Sequence, residues 1–339
     1  MVETTRSLEF LGSLLHRPES VLACSDGNVY ASDRVIGIAR VSPDGAVGFA
    51  GTPPTLASKF VPNGIALCAD GDFLIANIGD DGGLWRLTVD GRIIPELVNH
   101  NGHDIPPVNF AMVDRKGRIW LSVSTRRSPR HLAYRNDVAD GFIALVERGR
   151  FRIVAEGLAY TNEIRLNAAE DRLYASETFG HRISQFRVAA DGTLSGRKEF
   201  GRVEPGDFVD GIALDEAGGL WAICIVSNRV YRFDKRGRRE TILAETPTDF
   251  VNEVIAALGR GEMGRQHFDT TPNVTLRNVA SIAFCGLDLR TAVLGSICGD
   301  RLVAFDPGVR GVEPVHWHFT AAPQFLPAPN PDRTPELRG

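Results

Sequence analysis

The chain lacks any apolar run of about 18 residues, so nothing in it reads as a membrane-spanning helix. It lacks a C-x-x-C pair. Its five cysteines, Cys24, Cys68, Cys224, Cys285 and Cys298, are odd in number and mostly lie in or beside apolar runs. That excludes the spacing of zinc ribbons and thioredoxin-like redox sites. It suits a small core residue in a reducing compartment, and a cytoplasmic location is expected. It also lacks a long basic tract. A net charge of -4 over 339 residues argues against a nucleic-acid surface. The most basic stretch, RRSPRHLAYR at 126–135, reads as a solvated loop. The opening MVETTRSLEFLGSLLHRPE does not read as a signal peptide, because Glu9 interrupts its apolar stretch and its basic start is weak. A soluble protein acting on a small molecule is expected, without nucleic acid or membrane as partner; its oligomeric state is left open.

What the chain does have is a repeat. SDGNVYASDRVIGIARVSPDG, ADGDFLIANIGDDGGLWRLTVDG, RKGRIWLSVST…GFIALVERG, AEDRLYASETFGHRISQFRVAADG, EAGGLWAICIVSNRVYRFDKRG and DLRTAVLGSICGDRLVAFDPG share one order of turn, apolar strand, short connection and second strand. Units of this size cannot bury their own apolar faces and must stack, as in a solenoid or propeller. Strands such as GLWAICIV are apolar on both faces, which suits the inner strands of stacked blades. Asp-Gly pairs at 26–27, 44–45, 70–71, 90–91 and 191–192 mark hairpin turns. Tyr30, Trp120, Tyr174 and Trp221 recur a few residues after the turn and are expected to pack between blades. The expected architecture is all-β: a single six-bladed β-propeller over 1–321, with a short helical insertion between blades five and six. SLEFLGSLL before the first repeat and PVHWHF after the last are expected to meet in one blade and close the ring.

Three segments break the period. Residues 125–141 read as a polar loop. In TDFVNEVIAALGRGEMG at 248–264, Phe250, Val251, Val254, Ile255 and Leu258 share a helical face, and Gly259 or Gly261 can end the helix. Residues 265–279 read as an irregular polar segment. These insertions either roof one end of the axis or decorate the surface. The tail, 322–339, is rich in Pro, Asp and Arg, a composition expected to be disordered.

Eight residues before the turn position, the first five repeats carry Glu19, Asn63, Asn109, Asn162 and Asp210; the sixth carries Ala280. Equivalent positions of radial blades face one axis. Two carboxylates about 4 Å apart in a medium of effective dielectric near 20 repel by about 4 kcal/mol. A divalent cation removes that conflict. Oxygen-only donors favour Ca²⁺, with Mg²⁺ or Mn²⁺ as alternatives, and the absence of His and Cys from the slot argues against Zn²⁺. Without a cation, the same residues would line a water-filled channel.

These residues resemble the regucalcin and gluconolactonase family of six-bladed, metal-dependent lactonases. The likeness runs from about Arg17 to Phe319. It is carried by Arg17-Pro18-Glu19, by Asn109 in NFAMVDRKGRIW, by Asn162 in GLAYTNEIRL and by Asp210-Gly211 in DFVDGIALDEAGGLW. The resemblance implies that Glu19, Asn162 and Asp210 hold a divalent metal. It implies that Asn109 completes the shell or binds substrate, and that Asp210 is the base or nucleophile. Beside these, the expected substrate-binding set of this chain includes Asn63, Phe110, Tyr160, Glu163 and Phe179, with Ile225 at the mouth. Two departures stand out. Pro107 replaces the Arg usual two residues before the Asn of blade three, and Phe110 follows that Asn. Glu163 follows Asn162, where Gly is usual. Loss of the Arg and gain of a ring predict a preference for less hydroxylated, partly hydrophobic lactones or esters. The expected function is metal-dependent hydrolysis of a lactone or related ester. The alternatives are a calcium-binding propeller without catalysis, and an isomerase or lyase on the same fold.

Overall fold

The computed structural model describes residues 6–52, 59–272 and 274–327. Six four-stranded antiparallel sheets follow one another along the chain, the first five running in sequence order from the innermost strand outwards. The innermost strands are Val21–Ala23, Pro62–Leu67, Val108–Val113, Thr161–Leu166, Phe208–Leu214 and Val279–Cys285. The chain is a six-bladed β-propeller. Blade six has three strands from the C-terminal part and takes its fourth from the N-terminus: Glu9–Leu11 pairs antiparallel with Leu302–Phe305, with Phe10 opposite Val303. The expected closure therefore forms, although PVHWHF adds no strand to it.

The repeated turn is the same object in every blade. The N–H of Gly27, Gly71, Gly117, Glu170, Gly218 and Leu289 each donates to the carbonyl three residues back. All six have positive φ, from 54° at Glu170 to 88° at Gly71. Glycine takes that conformation without a Cβ penalty, which accounts for its recurrence there. Blades three and five share a further lock. Asp114 accepts from Trp120 Nε1 at 2.9 Å and from Arg118 Nε at 2.7 Å. Asp215 accepts from Trp221 Nε1 at 2.9 Å and from Arg232 Nε at 2.7 Å. Both tryptophans are fully buried between blades. Trp120 joins Phe110, Ile164 and Leu173, and Trp221 joins Phe284 and Phe305. Tyr30 and Tyr174 also pack between blades.

The helix predicted in 248–264 spans Thr248–Arg260 and ends at Gly261, whose φ of 70° allows its N–H to reach the Leu258 carbonyl. A second short helix, Gln266–Asp269, lies in the segment read as irregular. Val251 and Val254 of the first helix and Phe268 of the second join Ala133, Tyr134 and Val138 from the 125–141 loop in one buried cluster with Tyr160, Phe179 and Phe208. Both insertions therefore roof one end of the axis. The 126–135 stretch is not simply solvated, because Tyr134 is 1% exposed. The tail expected to be disordered is built onto the propeller through 327. Phe325 packs on Tyr30 and Phe73, and Leu326 exchanges two backbone hydrogen bonds with Phe49. Residues 328–339 lie outside the described residues. Among the described residues no helix is long and apolar enough to cross a membrane.

Candidate active site

Each axial residue of blades two to five falls at a register shift of its innermost strand. The shifts lie between Pro62 and Ile65, Val108 and Phe110, Thr161 and Ile164, and Val209 and Ile212. A bulge leaves one residue unpaired and re-aims its side chain, here toward the axis. Glu19, Asn109, Asn162 and Asp210 share the wall of one small cavity of about 20 Å³. That is space for a single water or ion.

Both amides are anchored through their nitrogens, and Asn109 Oδ1 also accepts from Asn63 Nδ2 at 3.4 Å. Asn162 Nδ2 donates to Thr178 Oγ1 at 3.2 Å, and its buried Oδ1 has no partner among the described residues. Asn109 Nδ2 donates to Ser124 Oγ at 3.2 Å, the equivalent hydroxyl one blade earlier. Asp210 is 3% exposed. Burial, then the charges of Glu19 and Glu163, raise its carboxyl well above the ordinary carboxylate range. These oxygens fit a hard divalent cation, which would relieve the repulsion between Glu19 and Asp210. Among the described residues no three His, Cys, Asp or Glu side chains are grouped to hold a metal, so a cation here would depend on the asparagines.

The same wall carries three arginines, Arg17, Arg130 and Arg265. Arg17 has a φ of 54° and forms an ion pair with Glu19. Tyr160, two residues before Asn162, is likewise left-handed at 65° and also lines the cavity. The position two before the axial slot therefore presents its side chain to the site in both blades. The cation missing at Pro107 of blade three stands at the equivalent place in blade one. Arg130 donates from Nε and Nη2 to Tyr160 Oη at 2.8 and 2.6 Å. Arg265 pairs with Asp269 at 2.8 Å. The Tyr134 phenol is pushed up by burial but pulled further down by Arg130 and Arg265, and sits below its ordinary value.

The remaining expected residues divide. Tyr160 and Ile225 line the cavity. Phe179 stands behind it, 5.3 Å from the Tyr134 ring and 5.1 Å from that of Tyr160. Asn63 is turned aside and donates to the Asn109 carbonyl at 2.9 Å. Glu163 pairs with Arg165 at 2.9 Å and accepts from the Ile212 N–H of blade five, so it bridges blades. Phe110 lines a second, largely apolar cavity with Leu67, Leu214, Phe284 and His316, at the other end of the innermost strands. The Arg165 guanidinium lies 4.3 Å over its ring. The expectation that Phe110 lines the substrate pocket is therefore corrected: the axial cavity carries arginines in place of the one missing at Pro107, and Phe110 lines the other cavity. Sequence reasoning missed Arg130, Tyr134, Arg265 and Phe268, which reach the axis only because the insertions fold back over it. The one signal, and only for Arg130 and Tyr134, was the four Arg beside Tyr134 in 126–135.

No curated protein sequence matches the chain significantly. Similar solved structures include a gluconolactonase from Xanthomonas campestris, at 20% identity and TM-score 0.65, with 89% of each chain covered. A calcium-binding protein, regucalcin, from Agrobacterium tumefaciens is 17% identical at TM-score 0.62, covering 93% of each chain. A luciferin-regenerating enzyme is 15% identical at TM-score 0.67, covering 91% of this chain and 98% of its own. At these identities the likeness concerns the fold. The sequence profile described as the SMP-30/gluconolactonase/LRE-like region matches residues 18–256, a span that holds Glu19, Asn109, Asn162 and Asp210, and on that match the chain belongs to this family.

Proposed function

We propose that the protein hydrolyses a lactone or related ester at the axial cavity, with a divalent cation, Ca²⁺ first among the candidates, held by Glu19, Asn109, Asn162 and Asp210. The observation that carries this reading is the convergence of two carboxylates and two oriented amides on a space the size of one ion. The membership of the chain in a family whose solved relatives include a gluconolactonase supports it.

A bound cation would polarise the acyl carbonyl. Asp210 removes a proton from the attacking water. Arg17 holds Glu19 in place through their ion pair. Tyr134, Tyr160 and Phe268 exclude bulk water from above.

The test is a panel of lactones and aryl esters, sugar-derived to hydrophobic, assayed after chelation and again after Ca²⁺, Mg²⁺ or Mn²⁺ is restored. Turnover that disappears with chelator and returns with metal is expected. A calcium-binding protein without catalysis would bind the ion but leave the whole panel intact.

A further inference from the structure

Among the described residues the axial cavity carries three guanidinium nitrogens without a hydrogen-bond partner, against two such acceptors, Asn162 Oδ1 and the ion-paired Glu19 Oε2. Arg17 is 7% exposed, yet its Nε and Nη1 have no partner among the described residues. Nη1 of Arg130 is also buried without a partner. Both guanidinium groups line the cavity. A buried, unpaired charged donor carries a large desolvation cost, so these N–H groups mark the place of an acceptor. Arg17 also lines a neighbouring outer hollow of about 360 Å³, together with Arg34 and Arg277. The hollow's one carboxylate, Asp269, is already paired with Arg265. A cationic approach thus leads to a cationic inner wall.

Charge counting points the same way. Arg17, Arg130 and Arg265 face Glu19 and Asp210 on the wall, and Asp269 offsets Arg265 from behind. The side chains balance, and a divalent cation would leave the site with an excess of two positive charges. The aromatic neighbours, Tyr134, Tyr160 and Phe268, leave little room for a hydration shell. A carboxylate, which guanidinium groups bind in a planar fork, loses its water at less cost than a phosphate dianion.

We infer that the substrate of this site carries a carboxylate, held by Arg17 and Arg130 with Arg265 beside them. The catalytic part of this inference rests on the lactone or ester hydrolysis proposed above; the binding part does not. A lactone so substituted is hydrolysed when a water oxygen bonds to the acyl carbon and the ring C–O bond breaks. The ring oxygen keeps the electron pair and takes a proton, so the product is a hydroxy-dicarboxylate with one proton released. The inner cavity holds one water-sized group as it stands, so admitting such a molecule requires the guanidinium groups on its wall to exchange their Glu19 and Tyr160 contacts for the ligand.

The experiment compares matched ligands on the full chain. γ-Carboxy-γ-butyrolactone and its uncharged counterpart γ-valerolactone are assayed for turnover. The non-hydrolysable ring ethers tetrahydrofuran-2-carboxylate and 2-methyltetrahydrofuran, which differ in the carboxylate alone, are titrated by calorimetry. The carboxylated ether is expected to bind at least about tenfold more tightly, and the carboxylated lactone to show a kcat/KM at least about tenfold higher. Arg130→Met should reduce both ratios and Arg130→Lys should restore part of them. If neither lactone is hydrolysed but tetrahydrofuran-2-carboxylate keeps its arginine-dependent advantage, the hydrolase reading falls and this inference stands. Equal binding of the two ethers overturns it whatever the turnover, and brisk hydrolysis of γ-valerolactone alongside would leave the hydrolase reading intact. The comparison on the unmodified protein decides the matter even if an arginine variant fails to fold.

Discussion

Asp210 and Glu19 are both carboxylates on one cavity wall, but their surroundings give them different work. Asp210 is raised well above its ordinary range by burial and by two neighbouring carboxylates, whereas Glu19 is neutralised locally by Arg17. Asp210→Asn keeps an oxygen donor but cannot accept a proton. Its kcat is expected to fall at least about a hundredfold with the fold preserved, in the range of a lost general base. Near-native kcat with an unchanged melting profile would remove Asp210 from that role. Glu19→Gln removes a charge from the proposed cation shell and frees Arg17. Activity should fall mainly through weaker metal binding, and millimolar Ca²⁺ should restore a measurable part; a loss indifferent to added metal would assign Glu19 another task. At this scale the sequence was informative where the repeat aligned its residues, and silent where function departed from the repeat. Glu19, Asn109, Asn162 and Asp210 could be picked out because they hold one position of the repeat, eight residues before the turn. Arg17 was visible as part of a motif, but its place on the wall follows from a left-handed backbone that no composition reveals. Phe110 and Glu163 misled because one step along a strand turns a side chain to another face.

At the scale of elements, the strands and turns were legible because each blade repeats one hydrogen-bonded turn and one apolar run. The insertions were legible only as elements. A helical face over Phe250–Leu258 could be read from periodicity, but its partner could not. Its apolar stripe is covered by Tyr134, Phe179, Phe208 and Phe268, which are scattered over some 134 positions from 134 to 268. Phe268 is the hinge of that packing: its ring lies 5.1 Å from Tyr134 and 6.0 Å from Phe208. Its carbonyl accepts from Asn278 Nδ2 at 2.6 Å, tying the roof to blade six. Phe268→Ala removes a buried ring, a change that typically costs about 3–5 kcal/mol. Because the roof is an insertion and not a blade, much of that loss should appear as local opening. Amide exchange is expected to accelerate over 248–269 while the innermost strands stay protected, and KM should rise. Equal loss of protection in the blades would make the roof part of the global folding unit.

The whole molecule is a ring with two unlike ends. One end carries the roofed, charged cavity. The other carries an apolar cavity crossed by the chain between 312 and 316, which brings His316 against the far ends of the innermost strands. Closing the ring by pairing Glu9–Leu11 with Leu302–Phe305 fixes the blade order and so brings both chain ends to this architecture. That closure could be inferred from the segments flanking the repeat, but the chemistry of the second end could not, since His316 follows the last repeat and matches nothing in it. Burial lowers the His316 imidazole to about 4, and the Arg165 charge adds to the effect against one opposing backbone hydrogen bond. The other charged groups on this cavity are Arg115, Glu170 and Glu313. In the unfolded chain a histidine titrates near 6.5. Between about pH 6.5 and 4 the unfolded state therefore binds a proton that the native state refuses, and stability must fall as the pH drops through this window. Full expression of the shift amounts to about 3 kcal/mol, of which about 2 should be lost by pH 5. Denaturant titrations at pH 7.5 and pH 5 measure it directly. The native chain should lose about 2 kcal/mol more than His316→Gln over that interval, because the amide has no proton to gain. If the two proteins lose stability in parallel, the acid sensitivity belongs to other groups, and the far end of the ring is open enough for water to reach the imidazole.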